Sequence, residues 1–227
     1  MTTDPITAPM HGAILSPAFL FRFAAPCRHA ATMWPTRSAR ELGDDYELRD
    51  FGELEGRRRF ATLRLGWNED GLGCELVVTG RSTRPWCRAT RVEDSDGLWL
   101  WIDTRDTHNV HRANRFCHRF VFLPAGGGTQ LNQPVSYLMP IHRARENPKP
   151  LEGHELQVSG TVQDGGYRLR CFIPASALTG FDPQEHARLG FFYAVVDREL
   201  GWQTFSVGPE FPFTEDPSLW GTLELVR

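Results

Sequence analysis

Two tryptophans separated by one residue are the side chains of this sequence best suited to contact a ligand. The segment 96–103 reads DGLWLWID, so that aliphatic residues alternate with Trp99 and Trp101. Alternate side chains of a β-strand point to opposite faces, and the aliphatic set is expected to face the core while both indoles project from the other side. Two indoles about 7 Å apart on one face form a flat surface that can stack on the apolar face of a pyranose ring. The spacing therefore predicts an aromatic platform for a sugar.

Polar groups that could bond sugar hydroxyls follow the same strand. Hydroxyls need paired donors and acceptors, which arginine, aspartate, asparagine and histidine supply. The segment 116–123 also alternates, and its register decides whether His118 or Arg119 reaches the indole pair. Trp86, Tyr137 and Trp202 lie in predicted loops, where an aromatic side chain is more often exposed, and are weaker candidates. The polar candidates at the end of the tryptophan strand are Asp103, Arg105, Asn109, His111 and Arg112.

A second interpretation of the same indole pair is equally open. The segment 124–150 contains several glycines and prolines and has no periodicity of its own, which is typical of a long loop. Such a loop could cover Trp99 and Trp101 and bury them. The sequence leaves the open platform and the covered pair as alternatives.

Residues arranged for catalysis or for a transition metal are sparse. Asp103 and Asp197 are the only carboxyls at comparable strand ends, as glycoside cleavage would require, and each fits a turn residue better. His108, His111 and His118 could surround a metal ion, although solvated loop histidines are the commoner case. The sequence contains no nucleophile elbow, phosphate loop or dinucleotide fingerprint. We therefore expect a non-catalytic protein.

Short segments with period-two alternation dominate the chain. The segments 60–67 and 72–78 flank Asn68–Glu69–Asp70–Gly71, which has the composition of a hairpin turn. The near absence of helical patterns predicts an all-β fold, a two-sheet antiparallel β-sandwich of jelly-roll type with short helical turns. Further strands are predicted near 18–23, 98–103, 116–123, 154–162, 167–173, 189–197, 203–207 and 220–226, with a helical turn at 175–179.

The composition indicates one domain. With 227 residues and 41% hydrophobic content, residues 13–227 are expected to form a single domain after a flexible segment 1–12. The net charge of -3 comes from interspersed acids and bases, so we expect no binding to nucleic acid or membranes. Five cysteines without a CxxC pair predict buried, reduced thiols. The first residues lack the basic and apolar regions of a signal peptide, and a cytoplasmic location is expected.

Three short motifs resemble family 9 carbohydrate-binding modules and the wider DOMON-like sandwiches. They lie at 61–78, 96–103 and 166–181, and the resemblance spans about residues 60–227. The chain departs from the family pattern at Arg170, where a glutamate is usual, and family members usually carry only one aromatic where Trp99 and Trp101 stand. The matching residues are Thr62, Leu63, Leu65, Trp67, Asn68, Glu69 and Leu72, then Asp96, Leu98, Leu100, Ile102 and Asp103, then Gly166, Tyr167, Leu169, Ile173, Pro174 and Leu178.

The resemblance implies a non-catalytic β-sandwich that binds carbohydrate. It also implies calcium as a structural companion, although no spaced calcium loop is visible. The residues that would supply oxygen ligands are Glu93, Asp94, Asp96, Asp103 and Asp106.

Two other functions remain open for such a sandwich. Some DOMON-type domains hold haem between a methionine and a histidine, which would cast Met139 with His118 or His142 as ligands. A sandwich without a small ligand could instead bind a protein partner or another copy through a sheet edge or the segment PFTEDPSLW. We predict carbohydrate binding first, protein interaction as the alternative, and haem or metal binding after both.

Overall fold

The computed structural model describes residues 17–151 and 155–227, and its regular structure is almost entirely β-sheet. The all-β prediction is confirmed. The segment 1–12, predicted to be flexible, lies outside the described residues. The strands are β1 (Ala24–His29), β2 (Ala61–Asn68), β3 (Gly71–Thr79), β4 (Gly97–Asp103), β5 (Cys117–Gly127), β6 (Gln133–Met139), β7 (Gln157–Gln163), β8 (Gly166–Pro174), β9 (Arg188–Asp197), β10 (Gly201–Thr204) and β11 (Gly221–Val226).

The strands form one continuous sheet that is nearly closed, and not two separate sheets. The hydrogen-bonded order is β6-β5-β4-β9-β11-β1-β2-β3-β8-β7, with β10 pairing to β9 beside β11. β1 runs parallel to both of its neighbours and joins the two halves. The predicted arrangement, antiparallel throughout, is therefore corrected at β1. The reason is that a strand's partners depend on contacts distant in sequence, which period-two alternation does not encode.

The two ends of the sheet approach each other through β7, which packs against β5 and β6. A Cβ atom on Gly160 of β7 would lie 2.5 Å from the carbonyl oxygen of Pro124 in β5. Glycine permits this close approach because it has no side chain. Closure of the sheet therefore depends on a glycine at position 160, and the pattern of hydrophobic residues in the sequence does not reveal this requirement.

The segment 124–150, predicted as one long loop, contains the end of β5 and the whole of β6. β5 passes Pro124 through an irregularity in register between Leu123 and Gly127, and the chain returns as β6 along its edge. Proline is tolerated in a strand at such bulges. Most β6 residues are only half-buried, so the strand lacks the strong apolar alternation that would have predicted it.

The helical structure of the described chain consists of short 3₁₀ turns, one of which, Ala175–Ala177, lies where a helical turn was predicted. The aromatic segment 18–23, predicted as the first strand, includes one such turn, and β1 begins only at Ala24. No helix among the described residues is long and apolar enough to cross a membrane. The 3₁₀ turns are Pro17–Leu20, Asp44–Tyr46, Phe51–Glu55, Val92–Asp94, Ala175–Ala177 and Pro217–Leu219.

The core lies inside the curved sheet. We call the side of β4 that carries Leu98, Leu100 and Ile102 the inner face, and the side that carries Trp99 and Trp101 the outer face. Leu100 is flanked by Phe120 of β5 and Tyr193 of β9, and the inner-face side chains of β4 are fully buried. The five cysteines are all buried and unpaired.

Candidate functional site

Trp99 and Trp101 share one face of β4, but they do not form an open platform. Their exposed fractions are 4% and 0%. The ring of Trp202 in β10 lies 6.1 Å from that of Trp99, and the ring of Phe213 lies 5.4 Å from that of Trp101. The expectation of two surface indoles is therefore corrected: aromatic residues from β10 and from the chain after it cover the pair, and burial of this much apolar area stabilises the fold.

The register of β5 places Arg119, and not His118, beside the indoles. Arg119 pairs with Trp101, and its guanidinium carbon lies 4.5 Å from the ring centre of Trp99. Its Nη1 also forms an ion pair of 3.1 Å with Glu93, whose side chain is 65% exposed. Burial lowers the pKa of Arg119, while the Glu93 carboxylate acts in the opposite direction. A charged group is thus held against the indole stack with its partner facing solvent.

Three donor groups on this face have no hydrogen-bond partner among the described residues. They are Nε1 of Trp99, Nε1 of Trp101 and Nε of Arg119, and all three atoms are buried. Most buried donors in folded proteins are satisfied, because an unpaired donor loses its bond to water and gains nothing in return. The outer face therefore retains unused hydrogen-bonding capacity.

His118 is a core residue of the inner face. Its Nε2 accepts a hydrogen bond of 2.9 Å from the Thr179 backbone N–H, and its Nδ1 lies 3.3 Å from the Ile102 carbonyl oxygen. These contacts fix the neutral tautomer with the proton on Nδ1. Burial lowers the pKa of His118 to about 4. Because both ring nitrogens are engaged, neither is available to a sugar, a metal ion or a haem iron.

The polar residues after β4 hold their own loop together. The Asp103 carboxylate accepts hydrogen bonds from the backbone N–H groups of Arg105 and Thr107, and burial raises its pKa. Arg105 lies over the ring of Phe116 and donates to the Gly180 carbonyl. This loop lies at the end of β4 away from Trp202, so the structure does not bring its residues to the indole pair.

The other three candidates in this loop also have local roles or face solvent. His111 Nδ1 lies 3.0 Å from a carboxylate oxygen of Asp216. Arg112 donates to the Arg143 carbonyl, and Asn109 is exposed. The sequence-based grouping of these residues with the tryptophans is therefore not reproduced.

The predicted carboxylate pair is separated by the length of a strand. Asp103 pairs with Gly190 at one end of the β4–β9 ladder, and Asp197 follows Val196, which pairs with Gly97 at the other end. Six residues of an antiparallel strand span about 20 Å. The two carboxyls do not flank a common substrate.

The predicted calcium and transition-metal ligands are likewise dispersed. Asp96 lies in an ion pair with Arg81, whereas Asp106 contacts His108 and Arg188. Within residues 17–151 and 155–227, no group of three or more His, Cys, Asp or Glu side chains is arranged to hold a metal ion.

A buried ionic cluster organises the loops at the N-terminal end of β4. Arg81 contacts the carboxylates of both Asp96 and Asp197, and all three side chains are buried. Asp96 also accepts hydrogen bonds of 2.8 Å from the backbone N–H groups of Trp86 and Arg198. One carboxylate therefore ties the loop before β4 to the turn between β9 and β10. Burial raises the pKa of Asp96.

Trp202 is the accessible member of the indole stack. It pairs with Val196 of β9, as Gly97 of β4 does, so it lies near the ionic cluster. Its exposed fraction is 37%. We call the group formed by Trp99, Trp101, Arg119, Tyr137 and Trp202 on the outer face the aromatic surface.

Tyr137 and Glu93 complete this neighbourhood. Tyr137 of β6 pairs with Val121, which in turn pairs with Trp99, and its hydroxyl lies 3.3 Å from the Ala89 carbonyl oxygen. The sequence indicated Tyr137 and Trp202 only as weaker candidates for the sugar site, and it indicated Glu93 only as a possible calcium ligand. The signal for Trp202 was its predicted position in a loop, where aromatic side chains are more often exposed.

Comparison with solved structures places the chain in a known fold. It is similar to a family 9 carbohydrate-binding module from Caldicellulosiruptor kristjanssonii in complex with cellotriose, with a TM-score of 0.62, 12% identity, and coverage of 90% of this chain and 94% of the module. A family 9 module from the same organism in complex with glucose gives a TM-score of 0.61, 13% identity, and coverage of 89% of this chain and 95% of the module. No protein-family model matches the sequence, and no curated protein sequence matches it. The fold is that of family 9 modules.

Proposed function

We propose that this chain is a non-catalytic carbohydrate-binding domain and that the sugar binds at the aromatic surface. Family 9 modules with the same fold were solved with cellotriose and with glucose. Those ligands make glucose and β-glucan oligosaccharides the first candidates for this chain. A calcium companion and a cytoplasmic location remain predictions.

The observation that carries the proposal is the exposure of Trp202 above two buried indoles. Trp99 supports Trp202 from below, so that the exposed ring is held in one orientation. A rigid indole that presents an apolar face to water suits the axial C–H groups of a pyranose. Trp202 therefore replaces the Trp99 and Trp101 pair as the stacking group.

Polar recognition would come from groups next to this indole. Glu93 offers an exposed carboxylate, and it is held by Arg119 on the same face. The unpaired donors of Trp99, Trp101 and Arg119 lie just beneath. Sugar hydroxyls supply acceptors, so small shifts of the covering side chains on binding would allow these donors to be satisfied.

The test is a calorimetric titration of the protein with glucose, cellotriose and cellohexaose. We expect saturable binding that strengthens with oligosaccharide length. The Trp202→Ala variant should bind at least about tenfold more weakly, because the stacked apolar area is lost.

Trp34→Ala is the matched control. Trp34 is half-buried and follows Met33, which packs on Gly73 of β3 in the other half of the sheet. This variant should keep wild-type affinity. Equal losses in both variants, or no binding of any saccharide by a folded wild type, would contradict the proposal.

A further inference from the structure

One tryptophan near the aromatic surface is surrounded by guanidinium groups. The ring centre of Trp86 lies 4.5 Å from the guanidinium carbon of Arg198, 5.2 Å from that of Arg88 and 5.6 Å from that of Arg91. The segment 84–91, RPWCRATR, supplies two of these arginines, and the turn after β9 supplies the third. Asp96 holds the two segments together through the backbone bonds described above. The cluster is thus fixed by the fold.

Two of these arginines lack a carboxylate partner. Arg91 is paired with Asp94 at 2.6 Å. For Arg88 and Arg198, no carboxylate lies within 4.0 Å among residues 17–151 and 155–227, and the Arg88 guanidinium donates only to the Cys87 carbonyl. Indole faces hold guanidinium groups in place by cation–π attraction while leaving their N–H edges free.

The acidic groups near the cluster are already engaged. Asp96 and Asp197 are fully buried and paired with Arg81. The Glu199 carboxylate accepts hydrogen bonds from the backbone and hydroxyl groups of Ser82 and Thr83. Glu93 is paired with Arg119. Positive charge at Arg88 and Arg198 is therefore left uncompensated, in a chain whose net charge is -3.

We infer that Arg88 and Arg198 bind the anionic substituent of an acidic saccharide, a carboxylate or a sulfate ester, whose ring lies on the aromatic surface. The inference rests on the proposed function and narrows its ligand class. Asp197 pairs with Gly201, the residue before Trp202, so Arg198 and the exposed indole belong to one hairpin. A guanidinium group can bond a carboxylate or a sulfate ester with two parallel N–H groups. A site that binds only neutral glucans would not need such a group.

The inference is tested by titrating the wild type with cellotriose, tri-galacturonate and a sulfated trisaccharide. We expect at least one acidic trisaccharide to bind about tenfold or more tightly than cellotriose at about 50 mM salt, and the preference to shrink at higher salt. The Arg88→Ala, Arg198→Ala double variant should lose the preference and keep the affinity for cellotriose. The corresponding double lysine variant, which keeps the charge but not the fork, should retain only part of the preference.

A control variant removes the same charge elsewhere. Arg168 and Arg227 are more than half exposed, at 52% and 66%, and Arg168→Ala with Arg227→Ala should leave the preference intact. Equal loss in this control would overturn the inference, because it would show attraction to overall charge only. If the wild type binds cellotriose as tightly as the acidic trisaccharides or more tightly, the inference is overturned but the proposed function is not. Failure of every saccharide to bind would overturn both.

Discussion

The two faces of β4 are both buried, yet they differ in how their polar groups are treated. On the inner face, His118 of β5 has both ring nitrogens bonded. On the outer face, three buried donors in Trp99, Trp101 and Arg119 have no partner within the described chain. Burial alone therefore does not separate core from candidate site in this protein. At β4, the satisfaction of hydrogen bonds distinguishes the two faces, although the buried hydroxyl of Tyr167 in β8 also has no partner within the described chain.

The contrast has a physical basis. A core strand is stabilised by apolar area, and an unpaired polar group in it costs free energy. A binding face can retain such groups when a ligand supplies the missing partners. The outer face of β4 buries aromatic rings as a core does, but it also has hydrogen-bond donors without partners, as a binding site can.

The largest expected effect is on the inner face. Leu100→Ala should lower the free energy of unfolding by about 3 kcal/mol, since it leaves a cavity between Phe120 and Tyr193 that the sheet cannot close. Trp202→Ala should cost less than Leu100→Ala, because that indole is already 37% exposed. Urea denaturation of both variants measures the difference. Equal costs would mean that Trp202 is as much a core residue as Leu100.

The second prediction concerns acid and the inner face. An unfolded histidine takes up a proton near pH 6.5, whereas folded His118 stays neutral down to about pH 4. The unfolded state therefore binds more protons between these values, and stability falls as the pH is lowered through this range. Between pH 7 and pH 4.5 the loss should be on the order of 2 kcal/mol.

His118→Gln isolates this contribution, because glutamine can donate to Ile102 and accept from Thr179 without titrating. Other groups titrate alike in both proteins. Unfolding free energies measured by urea at several pH values should show a shallower acid loss in the variant. Parallel curves would mean that His118 takes up a proton in the folded state near its usual pKa.

Much of the sheet could be predicted from sequence, because alternation reports local strand geometry. The segment 60–67 and the turn after it became β2 and its hairpin with β3, displaced by one residue. β6 was missed because an edge strand is half-exposed and carries little alternation. The parallel pairing of β1 was missed because it depends on residues far away in sequence.

The candidate site was harder to predict than the strands. Alternation correctly placed Trp99 and Trp101 together on one face, but whether that face is open depends on Trp202 and Phe213, more than 100 residues later. The choice between His118 and Arg119 required the register. The arginines around Trp86 were visible as RPWCRATR, but Arg198 joins them only through the tertiary structure.

The smallest expected effect compares two buried tryptophans. Trp220 Nε1 donates a hydrogen bond of 2.8 Å to the Phe213 carbonyl, whereas Trp101 Nε1 has no partner in the described chain. Replacement by phenylalanine removes similar volume from both positions, but only Trp220→Phe breaks a hydrogen bond and leaves a buried carbonyl unpaired. Trp101→Phe should therefore cost about 1 kcal/mol less in unfolding free energy. Urea denaturation without ligand decides the matter: an equal cost would show that the Trp101 donor is satisfied in solution, and the outer face would then be as complete as the inner one.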